Sequence, residues 1–87
     1  MTAMQPLIKN VTVLQDYELE LEFSNGQRRV FDVKPYLDKG IFTQLKDQSY
    51  FASVRAHARF VSWPHEQDFS LDTLWARSNI LHTESRP

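Results

Sequence analysis

The sequence predicts an α+β fold: a small antiparallel sheet with an N-terminal hairpin and short helices packed on one face. Three observations predict it. Residues 17–23 (YELELEF) alternate strictly between apolar and acidic side chains, the period of a half-buried strand. Ser24-Asn25-Gly26 follows directly as a turn. Further along come short apolar clusters introduced by helix-starting residues, so helical turns are expected to cover the sheet.

Taken in order, residues 1–6 carry no pattern, end at Pro6 and are expected to be a loose leader. Residues 7–14 (LIKNVTVL) are rich in β-branched side chains and read as a first strand, with an edge expected to lie open for pairing. Asp16 is a turn residue. The side chains then decide the hairpin register. A two-residue Asn25-Gly26 loop would set Glu20 opposite Phe31, mixing acids and core residues on one face. A three-residue loop with Gly26 left-handed shifts the pairing by one. Leu19 then faces Phe31, Tyr17 faces Val33 and Glu22 faces Arg28. This second register is expected, and it leaves the like charges Glu18 and Asp32 opposite each other, at a cost of roughly a few tenths of a kcal/mol on a surface.

Pro35 suits the first position of a short helix, where its missing N–H is not needed. Tyr36 and Leu37 would face the core and Gly40 would end that turn. Ile41, Phe42 and Leu45 form a second apolar cluster. Asp47 or Ser49 caps a helix whose buried side holds Tyr50, Phe51 and Val54, and its end is left open by the pattern, since residues 54–57 also read as already extended. Residues 59–63 alternate again, Pro64 stops them, and residues 68–70 form a short return strand. Ser70 or Asp72 caps a last helix presenting Leu71, Leu74 and Trp75. From Arg77 the composition turns polar. The expected organisation is a leader over 1–6, one α+β domain over 7–76 and a frayed tail over 77–87.

The chain has 87 residues, enough for one domain, and a chain of this size buries only about 60% of its unfolded surface. Two Trp, three Tyr and six Phe offset that, each burying roughly 150–250 Å². The formal net charge of −1 argues against a protein dedicated to gripping phosphate backbones. There is no cysteine, which favours a reducing cytoplasm and removes thiolate nucleophiles and Cys-based zinc sites. No apolar run approaches the about 18 residues needed to span a bilayer, and the first residues lack the basic start and apolar centre of a signal peptide.

One ordered series of residues stands out: a hairpin, then Phe31-Asp32-Val33-Lys34-Pro35-Tyr36-Leu37-Asp38-Lys39-Gly40-Ile41-Phe42, then Leu45 with Asp47 and Phe51, then Trp63-Pro64, then Asp68 with Asp72-Thr73-Leu74-Trp75. The series resembles the small bacterial domain grouped as domain-of-unknown-function family 2442, from about Ile8 to Trp75. That family usually places a Gly ahead of the Trp-Pro strand and an Asn-Gly-like turn after it. Here Arg59 precedes the strand and His65-Glu66-Gln67 follows Pro64. The resemblance implies a fold and no established activity. By analogy, small genes of this kind sit beside a second small gene, in the manner of toxin–antitoxin or adaptor pairs.

The residues offer little chemistry. His57 and His65, with Glu66 and Asp68, supply ligand types for zinc or nickel. They are eight apart, with a strand and a proline between them, and no H-x-x-x-H element sets two rings on one face. Ser62, His65 and Asp68 are the types of a hydrolytic triad, but no strand-to-helix elbow or Gly-rich oxyanion loop surrounds a serine. Two glycines in the whole chain leave no phosphate-cradling loop. Glu18, Glu20 and Glu22 read as a solvated acidic stripe, because acid–base work requires a desolvated group beside them. Arg28, Arg29, Arg55, Arg59 and Arg77 could bind nucleic acid by converging, but Arg28 lies beside the glutamates. Trp63 is expected in the core, and Trp75 at an interface.

The expectation is therefore a non-catalytic cytoplasmic module acting by protein contact, as a homodimer or with a small co-expressed partner, without cofactor, metal or membrane. Its expected contact surface is Glu18, Glu20, Glu22, Arg28 and Val30, with Trp75 as an anchor. The alternatives are a nucleic-acid-binding regulator using Arg55 and Arg59, and a metal-dependent enzyme using His57 and His65.

Overall fold

The computed structural model of the chain describes residues 5–80. Its strands in chain order are β1 (Ile8–Val13), β2 (Glu18–Phe23), β3 (Arg28–Asp32), β4 (Arg55–His57), β5 (Phe60–Ser62), β6 (Asp68–Ser70) and β7 (Asn79–Ile80), with helices α1 (Gln48–Phe51) and α2 (Leu71–Arg77). Two 3₁₀ segments, Lys34–Tyr36 and Gly40–Lys46, join β3 to α1. The fold is α+β as expected, but it holds two antiparallel sheets rather than one. The first runs β1-β2-β3-β7 and the second β4-β5-β6.

The hairpin register is the one that the alternation demands. Leu19 pairs with Phe31, Glu22 with Arg28 and Glu18 with Asp32, and the Val33 N–H donates to the Tyr17 carbonyl. Gly26 sits at φ 86°, and the loop closes with Phe23 N–H donating to Gln27 O and Gly26 N–H to Phe23 O, both at 2.9 Å. The inner face thus gathers Leu19, Leu21, Phe23, Phe31 and Val33, all fully buried.

Against that face pack Val61 and Phe69 of the second sheet, Trp63 at its end, Phe51 of α1, Leu71 and Leu74 of α2, and Leu37 and Leu45 of the 3₁₀ segments. Phe69 is central: its ring meets Phe31, Tyr36 and Phe42 within about 5 Å. Trp63 is core, and its indole N–H donates to the Phe51 carbonyl at 2.8 Å, so the polar tip that its burial strands is satisfied.

Both caps are resolved by geometry. Asp47 accepts from the Ser49 and Tyr50 amides, and Ser70 accepts from the Thr73 amide. Each satisfies backbone donors that the first helical turn leaves orphaned. Helix α1 ends at Phe51, before Val54, and the chain is extended from Arg55.

Three expectations are corrected in whole or in part. Ile41 does not join an apolar cluster; it is 59% exposed, while Leu45 from the same segment is buried, because a 3₁₀ turn points residues four apart in different directions. The β1 edge is covered only at its start, where the Ile8 amide donates to the Ala58 carbonyl at 2.9 Å; β1 remains the outermost strand of its sheet. The polar tail does not start at Arg77, which still belongs to α2. Ser78 is buried, and β7 pairs with β3, Arg29 opposite Ile80 and Val30 opposite Asn79. Residues 1–4 of the expected leader and 81–87 of the expected tail lie outside the described residues.

Candidate functional site

The outer face of the first sheet is built by simple alternation. With Leu19, Leu21 and Phe23 inward, β2 must present Glu18, Glu20 and Glu22 outward, and β3 presents Arg28, Val30 and Asp32 beside them. Asn10 and Thr12 of β1 stand opposite Glu22 and Glu20. Ion pairs lace this surface. Arg28 Nε lies 3.3 Å from Glu20, Lys9 Nζ 3.8 Å from Glu22, and Lys34 Nζ 3.1 Å from Asp32 and 3.8 Å from Glu18. Lys34 resolves the like-charge pair, and the hydrogen bond to Asp32 raises its pKa above the ordinary lysine value. These pairs are half exposed and screened by solvent, so each contributes little to stability. Their arrangement is the more informative feature: an acidic column on β2 flanked by cations on both sides.

Of the expected surface, the fold brings Glu18, Glu20, Glu22, Arg28 and Val30 together and leaves Trp75 out. Trp75 packs edge-on against Phe23 at 5.1 Å, and Phe23 is an inward residue. The Arg29 guanidinium covers its ring, 3.7 Å from the centroid, and Arg29 Nη1 donates to the Trp75 carbonyl at 3.1 Å. Arg29 is thereby drawn to the inner side, away from Arg28. The tryptophan sits across the sheet from the glutamates and cannot anchor the same contact.

The histidines are separated. His57 lies on the outer face of the second sheet, parallel to Phe60 at 4.2 Å, with Nε2 3.1 Å from Ser62 Oγ. Ser62 therefore meets His57 and not His65. The pair is exposed, and Asp68 stands opposite Ser62, not behind the histidine; a triad needs the carboxylate to orient the imidazole. Among the described residues no three His, Cys, Asp or Glu side chains come close enough together to hold a metal ion.

His65 instead ends a chain of hydrogen bonds around Gln67, which is buried to 1%. The His65 amide donates to Tyr50 Oη at 2.7 Å, so the Tyr50 hydroxyl passes its proton on to Gln67 Oε1 at 2.6 Å. Gln67 Nε2 donates to the Ile41 carbonyl at 2.9 Å and to Gln44 Oε1 at 3.1 Å. Gln44 Nε2 then faces His65 Nδ1 at 2.7 Å. A backbone donor at one end and a backbone acceptor at the Gln67 branch set the direction of every bond, so His65 Nδ1 accepts and its proton resides on Nε2. This network is structural: it ties the Pro64–Gln67 turn to the 3₁₀ segment and α1.

An open cleft of about 1020 Å³ lies between the β1–β2 connection and α1, lined by Leu14, Gln15, Asp16, Tyr17, Glu18 and Gln48 among others. Asp16 and Tyr17 both take φ 60° in this connection. The Tyr17 hydroxyl donates to the Lys46 carbonyl, and Lys34 Nζ donates to the Asp16 carbonyl at 2.8 Å. The carboxylate of Glu18 in this lining faces Lys34 Nζ at 3.8 Å.

Alternation along β5 makes Phe60 outward once Val61 and Trp63 are inward, and that signal is present in the sequence. The register that sets His57 against it is not. No helix among the described residues is long and apolar enough to cross a membrane. Comparison with curated proteins returns no match, and comparison with solved structures returns none either. Residues 8–79 match the family described as Protein of unknown function (DUF2442). With the hairpin, the Trp63-Pro64 strand and the capped last helix all inside that span, the chain belongs to this family of unknown function.

Proposed function

We propose that the chain is a non-catalytic, cytoplasmic protein-interaction module that pairs through the outer face of its hairpin sheet with a second copy of itself. One observation carries this reading: the elements that build the core pack against one face of the sheet, and on the other an acidic column alternates with cations. A face holding both signs in parallel columns is complementary to itself under a two-fold rotation, the commonest symmetry of small oligomers. Glu20 of one copy then meets Arg28 of the other at little cost, because the in-chain pairs being exchanged are weak. Val30 supplies the apolar centre. A reducing compartment is supported by the lack of cysteine.

Light scattering on the purified protein tests this reading. The expected result is twice the chain mass for the wild type and the monomer mass for Arg28→Glu or Glu20→Arg alone. The double swap, which rebuilds the pattern with its signs exchanged, should be dimeric again. A wild-type monomer that forms a one-to-one complex with a small co-expressed protein, lost in Arg28→Glu, would replace the second copy by an antitoxin- or adaptor-like partner. A monomer that engages nothing through this face overturns the proposal.

A further inference from the structure

The outer face of the second sheet presents a different kind of surface. Its middle strand β5 turns Phe60 outward, 38% exposed, while the next residue, Val61, is fully buried. The His57 ring lies parallel to it at 4.2 Å and 13°, and the 3.1 Å contact with Ser62 Oγ fixes the orientation of that ring. Two arginines flank the stack. Arg55 is exposed on β4, two residues from His57 and on the same face. Arg59, in the β4–β5 turn, lines a small cavity of about 190 Å³ with Gln5, Ser70, Leu71 and Asp72. Ser70 is the cross-strand partner of Phe60, so this cavity adjoins the aromatic pair.

We propose that this face is a stacking platform for an unpaired stretch of nucleic acid. Flat aromatic rings standing on a sheet accept unstacked bases of any sequence, and flanking arginines meet the phosphates. The hydrogen-bonding groups of the small cavity offer a place for one base edge. The site is pre-formed, since the His57 ring is already held parallel to Phe60. Asp68 and Asp72 border it, and with only two arginines to neutralise phosphates the platform binds through stacking more than through charge. Duplexes, whose bases are already stacked, are excluded. This face lies on a different sheet from the pairing surface above and does not depend on it.

The test is fluorescence anisotropy with a labelled oligouridylate and a labelled oligothymidylate, at several salt concentrations. Two neutralised phosphates give a log–log salt slope of about −1.4 for single strands. Phe60→Ala should weaken binding roughly five- to 150-fold, the loss of stacking on one base, whereas Phe60→Tyr should keep it. Arg55→Gln should leave a slope of about −0.7. Thermal melts of each variant separate loss of binding from loss of fold. No binding at low salt, equal binding by the folded Phe60→Ala variant, or a duplex bound as tightly as a single strand would each overturn the proposal.

Discussion

Two of the tight hairpins, β2–β3 and β5–β6, close with the same hydrogen bonds on different chemistry. In the first, Phe23 N–H donates to Gln27 O and Gly26 N–H to Phe23 O; in the second, Trp63 N–H donates to Gln67 O and Glu66 N–H to Trp63 O. The left-handed residue has φ 86° at Gly26 and 81° at Glu66. A glycine adopts that conformation freely, whereas a glutamate is strained there by roughly 1–2 kcal/mol. The first turn is therefore written locally, and Asn25 helps by accepting the Gln27 amide at 2.9 Å. The second is imposed from outside: Gln67 and the His65 amide are tied to Tyr50, Gln44 and Ile41. The lesson is that one backbone shape can be specified by its own residues or by its neighbours, and mutations should tell the two apart.

The largest expected effect strikes what the hairpins share. Phe31 of the first meets Phe69 of the second, ring centroids 4.9 Å apart. Phe31→Ala should cost about 3–5 kcal/mol in urea denaturation, enough to unfold a domain this small. A variant that melts like the wild type would mean that the inward face is assigned backwards. Next, Gln67→Leu leaves the Ile41 carbonyl and Tyr50 hydroxyl without their buried partner and should cost about 2–3 kcal/mol. Hydrogen exchange would localise the damage: the Trp63 and Glu66 amides should lose protection while those of Phe23 and Gly26 keep theirs.

The glycine and the glutamate themselves should respond with opposite signs. At Gly26 a Cβ meets nothing within 4 Å, so Gly26→Ala isolates the backbone strain and should destabilise by about 1 kcal/mol. Glu66→Gly relieves the same strain at some entropic cost and should stabilise by about 0.5 kcal/mol. Destabilisation by Glu66→Gly would show that the glutamate side chain supports the turn. The smallest effect is spectroscopic. Long-range ¹⁵N correlations should find the neutral His65 proton on Nε2, and Gln44→Ala should release that preference because the donor to Nδ1 is gone.

The same contrast explains how much could be read from the chain. The first hairpin was legible to the register, because one residue of slip would have put Glu20 against Phe31 and turned every apolar residue to solvent. Each cap was legible to within a pair, Asp47 or Ser49 and Ser70 or Asp72, since a short acceptor before an apolar cluster suits a helix start, and the geometry chose Asp47 and Ser70. The second turn was not, because nothing in Pro64-His65-Glu66 announces a left-handed residue. The outer-face residues of the pairing surface followed from alternation alone, but Trp75 did not belong with them. Its place depends on where α2 lands, and α2 lands on the inner side, with Arg29 drawn over the indole.

By itself, then, the sequence determined what short-range periodicity and turn chemistry control: the α+β class, the hairpin and its bulge, the inward face of that hairpin and the charged stripe. Only the tertiary structure decided that the strands divide between two sheets, that β7 returns from residues 79–80 to close β3, and that His57 stands against Phe60 while His65 ends a buried chain of amides. The β3–β7 pairing and the His65 chain join residues tens of positions apart, and the His57–Phe60 stack depends on the register in which β4 meets β5, through contacts of equal chemical type. Local pattern cannot rank such contacts; packing the whole core against one sheet face does.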